Sequence, residues 1–545
     1  VEITVPAINL DNISFSYSSI PLLDRISLHV GDGERACLIG SNGCGKTTLL
    51  RIASGDLIPE RGTVKVDGID TELFHVPSIE KFSGTVGDYL DAALHPLRII
   101  AIQFDEVSAR MGAGAYLGEL GSNYDRLLAQ MIAHDIWMLE ARVAQVLAEL
   151  GLEELTEARR NRSLNTLSPG QRGRLQLATT LIMKPEILIM DEPTNHLDTE
   201  AVSFLTQTVN NWDGAVLMAS HDRAFIEDTA TVIYDMDVDA WNALAKADGS
   251  DGVVGLYRCA GDYSNYLVEK TSARRQHAEL HATQQTEKRK LQKHRQSAGK
   301  ISRGGVRLAT AEGKAKKFFA DRAAATAKRR MQNDDKRLET LTDQEVRKPR
   351  SYDLSFHFEQ PLNRTGIAVS ARRAAVQQRL APVSFDLAHG EHLLVTGANG
   401  SGKTTLLNWI FTEKPPADAR ASGTIMRGKP VSLVPQHLPK KHDPGFTTHI
   451  WRNGIGEAGK GILHPSMWAV PIPELSAGNQ RRAQIAVALS AAPAILIIDE
   501  PTNYLDLITV QALEEALTEW KGTLVIASHD LWLISHWQGR RIHTR

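Results

Sequence analysis

The chain is poor in cysteine. Three residues in 545, Cys37, Cys44 and Cys259, with no CxxC pair among them, give little support to a disulfide framework or a cysteine zinc site and point to a reducing compartment. Long hydrophobic runs are also missing. Stretches such as Ile187–Met190 fall far short of the roughly 18 residues a membrane helix needs, and the opening VEITVPAINLDN has neither a basic nor an apolar signal region. The expectation is a cytoplasmic, soluble protein. Net charge is nearly absent, at −2, from 62 Lys+Arg against 64 Asp+Glu, so the average says nothing about partners until charge is mapped locally. Hydrophobic residues at 42% and charged residues at 23% exclude a disordered or fibrous chain, and 545 residues exceed what one core usually supports.

What the chain does have is an internal repeat. GSNGCGKTT (Gly40–Thr48), LSPGQ (Leu167–Gln171), ILIMDEPTNHLD (Ile187–Asp198) and ASHD (Ala219–Asp222) are answered by GANGSGKTT (Gly397–Thr405), LSAGN (Leu475–Asn479), ILIIDEPTNYLD (Ile495–Asp506) and ASHD (Ala527–Asp530). Ser168 to Ser476, Asp191 to Asp499 and His221 to His529 share one offset of 308 residues, whereas Lys46 to Lys403 is 357. The first half therefore holds 49 more residues between its first two motifs, an insertion placed at about Gly84 to Arg160. Its earlier part is the better candidate for a projecting arm. Its later part has apolar residues at Ile132, Ile136, Leu139, Val143, Val146, Leu147 and Leu150 before Gly151, the spacing of one helix with a C-terminal glycine.

Between the halves, proline is absent from Thr194 to Lys348, and Thr271–Arg330 holds 17 Lys+Arg against 4 Asp+Glu. That is a local charge of +13 in a chain of −2. The segment reads as two helices, roughly Tyr266–Ser297 and Lys314–Leu341, joined by AGKISRGGVRLATAEG. Charge runs are usually solvated helix faces, but charge of a single sign repels itself and gains only from a polyanion, so non-sequence-specific nucleic-acid binding is favoured. Lys288, Arg289, Lys290 and Lys293 are the candidate RNA contacts.

GxxxxGK[ST] between an apolar strand and a helix is a phosphate loop. Both copies qualify: RACLI (Arg35–Ile39) precedes Gly40, Ser41, Asn42, Gly43, Gly45, Lys46, Thr47 and Thr48, and HLLVT (His392–Thr396) precedes Gly397, Ala398, Asn399, Gly400, Gly402, Lys403, Thr404 and Thr405. Backbone N–H groups would cradle ATP phosphates, Lys46 and Lys403 would reach the β- and γ-phosphates, and Thr47 and Thr404 would bind Mg²⁺. ILIMDE and ILIIDE end buried strands in two acids whose side chains point opposite ways. Asp191 and Asp499 are assigned to Mg²⁺, and Glu192 and Glu500 to the attacking water as general bases. His221 and His529, each 29 residues beyond its glutamate, are read as γ-phosphate contacts. Ser168, Pro169 and Gln171 suit a helix start, while Gly170, costly in a helix, is worth keeping where a ligand approaches the backbone. Ser476 and Gly478 repeat the serine and glycine, but Ala477 and Asn479 replace the proline and glutamine.

Two cassettes, each with a phosphate loop, an LSxGx signature, a strand-end Asp-Glu and a switch histidine, resemble the ATP-binding cassette ATPases. Two in one chain, an arm in the first and a basic linker entered through CAGDYSNYLVEK (Cys259–Lys270), look like the ABC-F subfamily, either its antibiotic-resistance members, which the glycine-bearing linker tip favours, or its housekeeping translation factors. The resemblance implies an α/β fold with two P-loop ABC-type nucleotide-binding domains in tandem: 1–265 with the arm at about 84–160, a basic helical-hairpin linker at 266–348, and 349–545. It implies ATP hydrolysis with Mg²⁺, and head-to-tail pairing within a monomer. Lys46, Asp191, Glu192 and His221 would face Ser476 and Gly478, and Lys403, Asp499, Glu500 and His529 would face Ser168, Gly170 and Gln171. The closed form would bind the ribosome at the tRNA exit site, with the linker reaching large-subunit rRNA and the peptidyl-site tRNA, and hydrolysis would release it. Two departures make the sites unequal. LVPQH supplies Gln436 as a metal-contacting glutamine where HVPSI has Ser78, and Tyr17, placed to stack on adenine, has Ala374 as its counterpart.

Overall fold

The computed structural model describes residues 6–544 apart from 20, 68–76, 113–116, 156–159, 196, 251, 305–312, 350–355, 357–363 and 399. The chain folds as two compact units: Val1–Tyr234 with Ala260–Tyr263 and Tyr352–Arg545, and Asp235–Cys259 with Ser264–Ser351.

In the first unit the sequence repeat becomes a repeat of sheets. In the second half a five-stranded sheet runs in the order Val431–Val434, Ile495–Asp499, Thr523–Ala527, His392–Thr396, Arg540–His543, every pair parallel. In the first half Ile187–Asp191, Ala215–Ala219 and Arg35–Ile39 lie side by side in the corresponding order, again parallel. These strands read as unbroken apolar runs because layers cover both sheet faces; Ile495–Asp499 and Thr523–Ala527 are buried at every residue. Each half adds a three-stranded antiparallel sheet, Leu23–Val30, Ala7–Phe15 and Arg61–Asp67 in one and Leu380–Ala388, Ile367–Val376 and Ala421–Arg427 in the other. The parallel order brings the strand carrying the two acids and the strand leading into the phosphate loop to either side of the strand ending in the switch histidine, so all three motifs emerge at the same carboxyl edge.

The insertion is helical: Val86–Gly112, Leu117–Ala133 and Leu139–Glu149. The last buries Leu139, Val143, Val146 and Leu147 and ends, as its pattern requires, at a left-handed Gly151, φ 64°. The single helix expected from Ile132 onward does not form. Asp135, at φ 45°, and a one-turn 3₁₀ segment at Ile136–Met138 break it, leaving Ile132 on the preceding helix and exposed.

In the second unit the basic segment forms the helices Tyr263–Gly304 and Gly313–Asp343. The first runs seven residues beyond its expected end at Ser297; residues 305–312 of the glycine-bearing tip lie outside the described residues. Gln284 Nε2 donates to Gln344 O at 3.0 Å, and His294 Nδ1 lies 2.7 Å from Asp334 Oδ2, the inverse register of an antiparallel pair. At the base of the hairpin Lys270, 4% exposed, bonds the buried Asp235 and, at 3.1 Å, Asp237 Oδ2, while Trp241 stacks on Tyr257 at 3.8 Å.

Candidate active site

Each phosphate loop is shaped by three glycines at positive φ: Gly40, Gly43 and Gly45 in one half, Gly397, Gly400 and Gly402 in the other. Gly402 shows why glycine is needed: a Cβ there would stand 2.1 Å from Arg379 O. The lysines open the following helices, Lys46–Ala53 and Lys403–Thr412, and are folded back over their loops. Lys46 Nζ donates to Gly40 O at 3.0 Å, and Lys403 Nζ to Gly397 O at 2.7 Å. Each ammonium thus crowns a ring of backbone amides suited to a polyphosphate. Asn399 lies outside the described residues.

Glu192 and Glu500 are left-handed, φ 48° and 52°. Such a conformation is costly for a side-chain-bearing residue and clusters at functional sites. Here it turns the chain sharply at the strand end. Each glutamate N–H donates across to the neighbouring strand, to Ala219 O and Ala527 O, both at 2.8 Å, while its carboxylate accepts from the backbone N–H of the switch histidine, His221 or His529. Base and histidine are therefore held as one assembly in each half, although neither pair is contiguous in sequence.

The two assemblies differ in their electrostatics. Burial pushes the Glu192 carboxyl up to about 7 against the pull of Lys46, and burial together with Lys46 pushes His221 down to about 4. His221 Nε2 stands 3.4 Å from Glu192 Oε1. His529 Nδ1 stands 2.8 Å from Glu500 Oε1, and that carboxylate outweighs burial and raises the His529 pKa.

Asp499 is buried, while Asp191 at the matching strand end is exposed. Thr404 Oγ1 donates to Asp499 Oδ2 at 2.7 Å, and Asp499 Oδ1 is buried without a hydrogen-bond partner. A hydroxyl and a carboxylate with an unsatisfied oxygen suit a hard cation that takes its other ligands from phosphate and water, so the residues present fit Mg²⁺. Among the described residues there is no group of three or more His, Cys, Asp or Glu that could hold a metal ion.

The signature serines cap helices. Ser168 and Gln171 close a reciprocal capping box at Pro169–Met183; Ser476 accepts from Asn479 N–H at Ala477–Ser490, without the second half of the box. Across the halves, Asn42 Nδ2 donates to Tyr504 O at 3.1 Å, and a Cβ on Gly478 would lie 2.9 Å from the same Nδ2. His221 feels the charge of Asp506. The structure thus sets the first phosphate loop and histidine against the second signature and the loop after Glu500. For the other pairing, Asp222 feels the charges of Asp530 and His529, whereas Gln171 Nε2 is turned to Glu154 Oε1 at 3.2 Å. Tyr17 is 65% exposed, edge-on to Phe15 at 4.9 Å; its counterpart Ala374 is buried. Gln436 is exposed on the loop after Val431–Val434.

Sequence reasoning missed Arg481. Wholly buried, it donates through Nη2 to Asp499 O at 2.8 Å and Glu500 O at 2.7 Å, and bonds Pro435 O, so one guanidinium ties the acid strand end to the segment before Gln436. Gly173, 308 residues earlier, is exposed with nothing within 4 Å of a Cβ. That asymmetry in the aligned repeats was the available signal. Among the candidate RNA contacts, Arg289, Lys290 and Lys293 are exposed, whereas Lys288 Nζ is held 2.7 Å from Glu345 Oε2.

Two phosphate-loop cassettes on parallel sheets, each with an acid pair and a switch histidine, define a tandem-cassette ATPase. The family model described as ABC transporter matches residues 23–195 and 380–503. The chain is 31% identical, over 99% of its own length and 97% of the relative's, to the tylosin resistance ATP-binding protein TlrC of Streptomyces fradiae. It is 28% identical, over 94% and 87%, to the energy-dependent translational throttle protein EttA of Mycobacterium tuberculosis. A structure titled as a model of ribosome-bound archaeal Pelota and ABCE1 aligns at 18% identity and TM-score 0.50, covering 98% of this chain and 76% of that one, a likeness of fold. The protein belongs to the ATP-binding cassette family, within its ABC-F subfamily, and is an ATPase. No helix among the described residues is long and apolar enough to cross a membrane.

Proposed function

We propose that this is a cytoplasmic ABC-F ATPase whose ATP-closed form binds the ribosome and protects it from antibiotics of the large subunit, with hydrolysis driving release. The observation that carries the reading is the +13 hairpin, with Arg289, Lys290 and Lys293 exposed, attached to two ATP sites that both keep base and histidine. A linker of one sign gains from neutralising RNA phosphates at large-subunit rRNA and tRNA. Similarity to a protein named for tylosin resistance, over nearly the whole length of both chains, favours drug protection. Similarity to a protein named a translational throttle favours a second reading, a housekeeping factor acting on peptidyl-tRNA. A membrane exporter's ATPase subunit would leave the basic hairpin without a role.

In this reading Lys46 and Lys403 hold the β- and γ-phosphates, and Gln436, with the Thr47–Asp191 and Thr404–Asp499 pairs, binds Mg²⁺, which supplies charge neutralisation. Glu192 and Glu500 each take the proton of a water whose oxygen attacks the γ-phosphorus as the bond to the β-phosphate oxygen breaks. His221 and His529 steady the γ-phosphate, and Ser476 and Gly478 close over it from the other half. Tyr17 stacks on one adenine.

Replacing both Glu192 and Glu500 by Gln preserves shape and removes both bases. The double variant is expected to pellet with ribosomes in ATP and to inhibit translation; a variant that sediments free of ribosomes in ATP removes the ribosome cycle. Inhibitory concentrations of macrolides, lincosamides, streptogramins and pleuromutilins, with and without expression, separate the two readings. No change in any of them leaves the housekeeping one.

A further inference from the structure

The halves meet through an ion pair that the repeat does not duplicate. Arg223, two residues beyond His221, opens the helix Arg223–Thr229 and is 3% exposed. Its guanidinium forks onto Glu514 of the second half, Nη1 at 2.6 Å from Oε2 and Nη2 at 2.5 Å from Oε1, and Nη2 also reaches Asp530 Oδ2 at 3.3 Å. The Trp532 ring lies 5.6 Å from the guanidinium carbon, braced edge-on by Tyr263 and stacked by His536. At the 308-residue offset, Leu531 stands for Arg223 and Thr206 for Glu514, so the reverse contact cannot carry an ion pair.

Asp530 gives this grip its direction. Its carboxylate caps the helix Leu531–His536 by accepting from Leu533 N–H at 3.1 Å, and it adjoins His529, the partner of Glu500. A buried arginine from the first half, forked onto Glu514, thus also holds, through the single contact to Asp530, the loop that carries the second site's histidine. At the matching position in the second half stands Leu531, which has no charge to offer the loop carrying His221.

We propose that Arg223 is a positioning residue for the second ATP site, making hydrolysis by the Glu500–His529 assembly depend on docking of the first half, while the Glu192–His221 site has no reciprocal dependence. The coupling is built from unlike residues at matching repeat positions. It makes the two sites unequal in control as well as in chemistry.

The test rests on the assignment of the bases above. Glu192→Gln leaves the second site turning over and Glu500→Gln the first. Arg223→Leu, the residue found at 531, is expected to lower kcat roughly tenfold in the Glu192→Gln background, the scale of a small misplacement of a reacting group, with KM for ATP little changed. In the Glu500→Gln background it is expected to leave kcat within about twofold. Arg223→Lys, a single point charge that cannot fork, restores only part of the loss, and exchanging the charges as Arg223→Glu with Glu514→Arg restores more. An equal fall in both backgrounds, the mark of a merely structural residue, or no fall at the second site overturns the proposal. Amide hydrogen exchange across residues 528–536 reads the same loop without reference to the bases: faster exchange in Arg223→Leu is expected, and unchanged exchange overturns it. Residual turnover in the Glu192→Gln, Glu500→Gln double variant counts against the base assignment alone.

Discussion

Asn42, at the crown of the first phosphate loop, donates its Nδ2 to the carbonyl of Tyr504, a residue 462 positions later that is left-handed at φ 67°. The contact joins a loop that would cradle phosphate to the loop that follows the other half's glutamate.

Removing that contact should weaken assembly of the site. Asn42→Ala is expected to raise KM for ATP about fivefold, the scale of one net hydrogen bond of ~1 kcal/mol, with far-ultraviolet circular dichroism unchanged. Steady-state hydrolysis over a range of ATP concentrations measures it; an unaltered KM shows that the bond contributes nothing to the closed state.

The pH dependence of the first site follows from its buried carboxyl. Burial pushes Glu192 up to about 7, and in the proposed role it would act as a base only when deprotonated. In the Glu500→Gln background kcat should therefore fall about tenfold per pH unit as pH drops below about 7, with a plateau above. His221, pushed down to about 4, stays neutral through that window and adds no second limb. A rate flat from pH 8 to about 5.5 would remove Glu192 as the base.

Arg481 and Gly173 should respond in opposite directions. Arg481→Met leaves the carbonyls of Asp499, Glu500 and Pro435 without their buried donor, and is expected to cost about 3 kcal/mol or more of stability. Gly173→Ala places a methyl in open space on the helix Pro169–Met183 and should add about 0.5–1 kcal/mol. Urea unfolding of the two variants provides the comparison.

The hairpin charges should not be equivalent. Changing Arg289, Lys290 or Lys293 to Gln is expected to reduce the slope of log affinity for ribosomes against log salt by about 0.7–0.9 each. Lys288→Gln should change it less, because Glu345 already holds that ammonium. Ribosome co-sedimentation from low to high potassium chloride reads the slopes, and four equal changes would show that the Lys288–Glu345 pair opens on binding.

Much of the site was legible because its parts are local. A phosphate loop needs glycines, a lysine and a threonine at fixed spacing between a strand and a helix, and a strand ending in two acids needs only an apolar run before them. Helix limits were less legible. The pattern from Ile132 to Leu150 looked continuous, yet Asp135 takes a left-handed conformation and interrupts it. The glycines near Ser297 suggested an earlier stop, yet the helix continues to Gly304. In both cases local propensity, at tenths of a kcal/mol per residue, is too weak to determine where the helix ends.

By itself, the sequence determined the repeat, the two phosphate loops, the acid pairs and histidines at the strand ends, the basic segment and the family, since each is written in neighbouring residues or in one constant offset. Only the tertiary structure decided what two further differences between the halves do: that Arg481 underpins one acid strand where Gly173 holds the matching position, and that Arg223 grips Glu514 where Leu531 and Thr206 stand in the repeat. Such contacts join residues up to hundreds of positions apart, and packing geometry selects them; no periodicity along the chain encodes which buried arginine will meet which carboxylate or carbonyl.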